Sequence, residues 1–261
     1  MSKISIVTAF YDIGRGNWNG WIQRTTDTYL ERFSHLLSLD NDITVFTSPD
    51  LVDRLKDLTK NRVAKTNIVA YDLFSECAGV VEEIRKVQES PDYQSQIAPE
   101  HKDMPEYWSP EFIFVNIFKP SFVRRAIDME LCDNDLVAWI DFGYCRSQSA
   151  LGGHSTWSYD FDPAKIHMFA VREVPLDLDA VRLMTHNEVY IIGTYYVAHK
   201  NLWTEMERLM YVNFREKLSQ QLVDDDQSFL VMCYQSKPEL FEIHQLHGEW
   251  FEAFTYFNTG E

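Results

Sequence analysis

Positive charge is scarce in this sequence. Its 261 residues carry 24 Lys and Arg against 40 Asp and Glu, a formal net charge of −16. A chain this acidic is not built for nonspecific nucleic-acid binding, which rests on neutralising phosphates, nor for broad contact with anionic lipid. An anionic ligand would need a few local Arg and Lys side chains together with a metal or backbone amides. Long apolar runs are missing as well. No stretch of about 18 apolar residues occurs, so no membrane-spanning helix is expected. Met1-Ser2-Lys3 leads straight into Ile4-Ser5-Ile6-Val7, which reads as the start of a strand and not as a signal peptide. The four cysteines, Cys77, Cys132, Cys145 and Cys233, are too scattered for a zinc pair or a disulfide framework. Reduced thiols and a cytoplasmic setting are the simplest expectation. No G-x-G-x-x-G and no P-loop follows the first apolar segment, which disfavours a nicotinamide-dependent oxidoreductase.

What is present is a chain that can bury a large core, with 45% hydrophobic residues. Aromatic residues make up 14%; they suit sugar-handling faces, but more often they are plain core. The segment from Asp135 to Tyr144 organises the rest. Leu136 to Ile140 are continuously apolar, as in a parallel strand covered on both faces. Asp141 stands at the carboxyl end of that strand, with Gly143 just after it. Ligands of open α/β sheets bind outside the carboxyl ends of the strands, so Asp141 is either a ligand-holding carboxylate or the cap of a turn.

Strands are expected at 4–10, 43–47 and 67–71, with helices at 22–38, from Ser48-Pro49 to about 58, and around Val80, Val81, Ile84 and Val87. This alternation predicts a parallel sheet with crossover helices. Tyr11 to Trp18 form a polar loop with two glycines after the first strand, which is either a phosphate-holding loop of the kind α/β proteins place there or a simple flexible turn. Residues 90–110, with Pro91, Pro99, Pro105 and Pro110, read as a long surface excursion that packs near the site or near a partner. Residues 111–129 are helical in pattern, broken or kinked at Pro120. Lys119 in that apolar stretch either snorkels or reaches an anion. Later strands are expected at 167–172, 188–198 and 240–246, with a helix at 201–219. Gly193 inside a strand suggests that something approaches the backbone there. Asp224-Asp225-Asp226 open a further helix. A cap needs only one carboxylate; Asp224 is expected to be that cap, with Asp225 and Asp226 free for another task. No repeat or linker is found, and one domain spanning 1–261 is expected.

Ile6 to Gly16, then Trp139-Ile140-Asp141-Phe142-Gly143-Tyr144, then Asp225-Asp226-Gln227 resemble the HtrL/YibB family of bacterial proteins. The resemblance covers most of the chain. It implies a GT-A type fold: one Rossmann-like domain with a central, mostly parallel sheet flanked by helices. Its nucleotide-binding half would be about 1–145 and its acceptor half about 146–261. It also implies a glycosyltransferase that moves a sugar from a nucleotide-sugar donor to a surface-glycan or glycolipid acceptor (capsule, lipopolysaccharide or related), with at most peripheral membrane association. Thr8, Phe10, Asp12 and Arg15 would line the nucleotide pocket, Lys119 would be a second cation there, and Asp141 would hold a metal or the ribose. Mn²⁺ or Mg²⁺ is the implied cofactor, with His247 or His244 as a second ligand, because Gly143 stands where a second Asp is expected. Asp225 or Asp226 would face the acceptor as general base or contact the donor sugar. The other function class is a sugar-nucleotide-binding protein, inactive or regulatory, that performs no transfer.

Overall fold

A computed structural model describes residues 3–247 and 250–256. One seven-stranded sheet runs through it: β1 (Ile4–Phe10), β2 (Ile43–Thr47), β3 (Thr66–Ala70), β4 (Leu136–Ile140), β5 (Ile166–Ala170), β6 (Ile191–His199) and β7 (Phe241–Gln245). The order across the sheet is β3-β2-β1-β4-β6-β5-β7. β3, β2, β1 and β4 are parallel, β6 is antiparallel to both β4 and β5, and β7 is parallel to β5. Six strands therefore share one direction and β6 opposes them. β4 lies fourth of the seven, between the parallel half and the reversed strand.

The helices are α1 (Thr26–Leu36), α2 (Val52–Thr59), α3 (Leu73–Glu76), α4 (Ala78–Gln88), α5 (Pro91–Gln96), α6 (Pro110–Ile117), α7 (Lys119–Asp128), α8 (Ala180–Thr185), α9 (Trp203–Ser219) and α10 (Asp226–Ser236). Alternate residues of the strands feed two cores. Val7, Val137 and Trp139 belong to the one that takes α4, α6, α7, α9 and α10. Ile6, Leu136, Ala138 and Ile140 belong to the other, with Phe33 and Leu36 of α1 and Leu55 of α2. Burial on both faces explains why Leu136–Ile140 is apolar throughout.

One expectation needs correction. Residues 90–110 are not a surface excursion. Tyr93, Ile97, Glu106 and Tyr107 are buried, and the Tyr93 hydroxyl donates to Val223 O at 2.8 Å. The prolines mark the starts of short helical turns, where a missing N–H costs nothing. The break expected near Pro120 is present: α6 and α7 meet at Phe118, with Pro120 in the first turn of α7. That break places Lys119 at the buried start of α7.

Candidate functional site

A cleft of about 580 Å³ opens beyond the carboxyl ends of β1 and β4. It gathers Phe10, Asp12, Arg15, Lys119, Asp141, Asp225 and Asp226 from segments far apart in sequence. Thr8 is not among its lining residues; it is fully buried within β1, and its hydroxyl has no partner. Phe10 stacks on Phe142 at 4.8 Å and forms part of the cleft's apolar wall. Asp12 fixes the first loop: its carboxylate accepts from Gly14 N at 2.9 Å and from the Thr26 hydroxyl at 2.6 Å.

The centre of the site is a carboxylate–ammonium–carboxylate chain. Lys119 Nζ donates to Asp226 Oδ2 at 2.8 Å and to Gly193 O at 2.9 Å, and lies 3.0 Å from Asp141 Oδ1. Asp141 Oδ1 also accepts from Trp139 Nε1 at 2.7 Å. Lys119 is 4% exposed and Asp226 1%. Burial alone would lower the Lys119 pKa, but attraction to Asp141 and Asp226 overrides it and raises the value. The ammonium is therefore firmly charged. Burial pushes Asp226 upward and the Lys119 ammonium pulls it back. Gly193 is needed here, because a Cβ on β6 would fall onto the Asp226 carboxylate. The approach expected at that glycine is made by a side chain of the protein itself.

The acidic triplet divides differently from the expectation. Asp225 is the N-cap of α10 and accepts from Gln227 N at 3.0 Å. Asp224 is buried and accepts from the Ser228 hydroxyl. The cap falls on Asp225 because the backbone is still extended there and turns helical at Asp226. Both Asp224 and Asp225 are pushed well above the usual carboxylate range, first by burial and then by neighbouring carboxylates. Glu106 joins them. It lines the cleft, is buried, and its pKa is raised by that burial to about 7.

Four arginines, Arg15, Arg24, Arg32 and Arg146, also line the cleft. Arg15 is braced: its guanidinium donates to Tyr29 Oη at 2.7 Å and to Ile22 O at 3.1 Å, and lies 4.9 Å from the centre of the Trp18 ring. Arg146 lies 4.0 Å over the Phe251 ring. Arg32 is lowered by burial and by repulsion from Arg146, Arg24 and Arg15. Sequence reasoning named Arg15 and missed the other three, Glu106 and Trp139. A signal existed for two of them. Arg24 lies in the same interval after β1 as Arg15, and Arg146 follows Asp141 in the loop after β4.

Over residues 2–259 the chain matches the family described as "Bacterial protein of unknown function (HtrL_YibB)". It belongs to the HtrL/YibB family. Protein HtrL of Escherichia coli strain K12 is 35% identical over 268 residues, covering 99% of this chain and 93% of that protein. Among solved structures, the apo form of mouse xyloside xylosyltransferase 1 is similar at TM-score 0.43 and 13% identity, over 92% of this chain and 84% of that one. The 4-diphosphocytidyl-2C-methyl-D-erythritol synthase of Anaerococcus prevotii DSM 20548 is similar at TM-score 0.35 and 12% identity, over 95% and 91% of the two chains. Scores this low carry no argument about chemistry.

In this HtrL/YibB protein the structure does not bring a late histidine to Asp141. His247 is not among the residues lining the cleft; its ring stacks on Tyr256 at 5.4 Å and its Nδ1 lies 3.9 Å from Glu252. His244 packs against His167 and Phe169. His167, Glu242 and His244 each offer one ligand atom within 4.8 Å of the others, so together they could hold a metal ion, away from the cleft lining. As they stand, they make a hydrogen-bonded pair. The Asp162 carbonyl can only accept, so His167 Nε2 carries the proton at 2.9 Å from it, and Nδ1 accepts from His244 Nε2 at 3.0 Å. Burial pushes His244 down to about 4. Among the described residues no helix is long and apolar enough to cross a membrane.

Proposed function

We propose that this protein is a glycosyltransferase that takes a nucleotide-sugar donor into the cleft and passes the sugar to a bacterial surface-glycan acceptor. The observation that carries this reading is the gathering of four arginines and several carboxylates in one cleft beyond the β1 and β4 strand ends. Arginines come to it from the loops after β1 and β4 and from α1. Carboxylates come from the start of α10, from the proline-rich segment and, as Asp12 and Asp141, from the loops after β1 and β4. A diphosphate leaving group needs concentrated positive charge, the main electrostatic task of such a transfer. An acceptor hydroxyl needs a base. The aromatic wall made by Phe10, Trp21, Tyr29 and Phe142 suits a base or a sugar ring.

Of the two acids expected to serve as base, Asp225 is the better placed. Asp226 is 1% exposed and held by Lys119, so it orients the centre. Asp225 is half-buried, lines the cleft, and favours its protonated form through burial and the nearby Asp226 and Glu106. That matches a base that must accept a proton near neutral pH.

The test is a panel of UDP-, GDP-, ADP- and dTDP-sugars, read by thermal shift and by release of nucleoside diphosphate. One donor should raise the melting temperature and be hydrolysed slowly, or turned over with an oligosaccharide acceptor. Asp225→Asn keeps a good N-cap, so it should melt near the wild type while losing about 10²–10⁴-fold in turnover. No shift with any donor would remove the reading. A shift without release, across all acceptors tried, would leave a sugar-nucleotide-binding protein.

A further inference from the structure

We infer that the cleft holds the diphosphate of its donor without a divalent metal: the ammonium of Lys119 takes the cation position at Asp141, and Arg15, Arg24, Arg32 and Arg146 neutralise the phosphates. This rests on the proposed donor class and goes beyond it, because the family resemblance implies Mn²⁺ or Mg²⁺ at this place.

The donor set at Asp141 does not fit a divalent ion. Its Oδ1 already accepts from Trp139 and faces Lys119 at 3.0 Å. A dication on the same carboxylate would stand a few ångströms from a buried, firmly protonated ammonium. A second carboxylate is not merely absent at Gly143. A Cβ there would lie 2.9 Å from the Tyr29 ring and 3.8 Å from Arg32 Cδ, so the space belongs to an aromatic ring and a cation. Asp226 is committed to Lys119, and Asp225 to Gln227. Neither late histidine lines the cleft.

Positive charge is supplied by the chain instead. Among the described residues none of the four arginines forms an ion pair with a carboxylate, in a protein of net charge −16 where most exposed cations do. Arg32 and Arg146 are both lowered, first by burial and then by other arginines of the group. Like charges held together with no acid in ion-pair contact are an unfavourable arrangement that a bound polyanion relieves. Arg guanidinium forks also match phosphate oxygens in pairs. Two buried polar atoms of cleft residues await partners as well: Arg15 Nε and the Thr194 hydroxyl. Buried donors are rarely left unpaired unless a ligand or water serves them.

The experiment is calorimetric titration of the full chain with UDP, GDP, ADP and dTDP, and separately with inorganic pyrophosphate. Each is run in EDTA and in excess Mn²⁺. Binding in EDTA should fall within a few-fold of that in Mn²⁺. Arg32→Ala and Arg146→Ala, checked by melting to be folded, should each weaken it about tenfold or more in both buffers. Binding that appears only with Mn²⁺ overturns the inference and leaves the donor reading standing. Pyrophosphate bound in EDTA and weakened in both variants, with no nucleotide bound, overturns the donor reading and keeps the metal-free anion site. No binding of either probe in any buffer overturns both. Binding in EDTA untouched by the two substitutions overturns the arginine assignment.

Discussion

Replacing Lys119 by Met keeps most of the side-chain stem and removes only the charge and its donors, so the loss measures the ion chain and not a cavity. In the native protein the ammonium lies 2.8 Å from one carboxylate oxygen and 3.0 Å from another. At an effective dielectric constant of about 20, each attraction is worth about 6 kcal/mol. Taking the charges out of water costs several kcal/mol each and cancels much of that sum. Breaking such a pair from one side leaves Asp226, 1% exposed, without compensation. The expected loss is about 3–5 kcal/mol. A further ~1 kcal/mol follows from the abandoned Gly193 carbonyl. Protonation of Asp226 limits the damage. Without Lys119 its folded pKa moves further above the unfolded value, so the folded variant binds the proton more tightly. Stability of the variant then falls as pH rises through the interval between those two values, and the deficit is largest at neutral pH and shrinks in acid. Adding Asp226→Asn in the Met background removes the stranded charge and should recover a good part of the loss. Urea melts of the wild type and the two variants across pH 5 to 8 decide it. A Met variant within about 1 kcal/mol of the wild type at neutral pH, with no gain from the second change, refutes the buried ion chain.

Gly193→Ala places a methyl against the Asp226 carboxylate; it should cost about 1–3 kcal/mol in a denaturant melt. Gly79→Ala, in α4 with nothing within 4 Å of the added carbon, should be neutral or stabilising by up to about 1 kcal/mol. Equal effects at the two glycines would dismiss the close approach. Glu106, raised by burial to about 7 from an ordinary 4.5, takes up its proton more readily in the folded state. Its contribution therefore makes stability fall as pH rises between about 4.5 and 7, by roughly 1–3 kcal/mol in all. Glu106→Gln should flatten that slope, and an unchanged pH profile of the melting temperature would place Glu106 in water.

Much of the fold was legible because its signals are local. Leu136–Ile140 announces a strand buried on both faces by composition alone, and β1 and β2 behave likewise, at bounds the sequence reading reproduced. Residues 90–110 were misread because proline speaks twice. It breaks an element in progress, but at a first turn it starts one. Which role applies depends on whether apolar residues such as Tyr93 and Tyr107 find a core to enter. The acidic triplet shows the same limit at finer scale. Any of three adjacent aspartates can cap on sequence grounds, and only the backbone turn at Asp226 gives the cap to Asp225.

The site was half legible for a reason rooted in charge. A carboxylate ending a buried strand and a lysine in an apolar helix each stand out against their surroundings, and both line the cleft. Their relation does not stand out. Lys119 was expected to meet a ligand anion, but 107 residues further on the chain supplies an anion of its own, Asp226. The arginines are harder still, since an isolated arginine in a polar loop looks like every other. What marks them is mutual repulsion, which exists only once the β1 loop, α1 and the β4 loop are brought together. A chain with 16 more acids than bases could have set a carboxylate beside each. It sets them instead where parallel strands end, at the β1–β4 pair, together with Asp12 and Asp141, while Asp225, Asp226 and Glu106 come to the cleft from the start of α10 and the proline-rich segment. In the proposed reading the donor would lie with its phosphates toward Arg15, Arg24, Arg32 and Arg146 and its sugar toward Asp225, all of which line the one cleft. That orientation is what a transfer from a phosphate-linked donor to an acceptor hydroxyl requires.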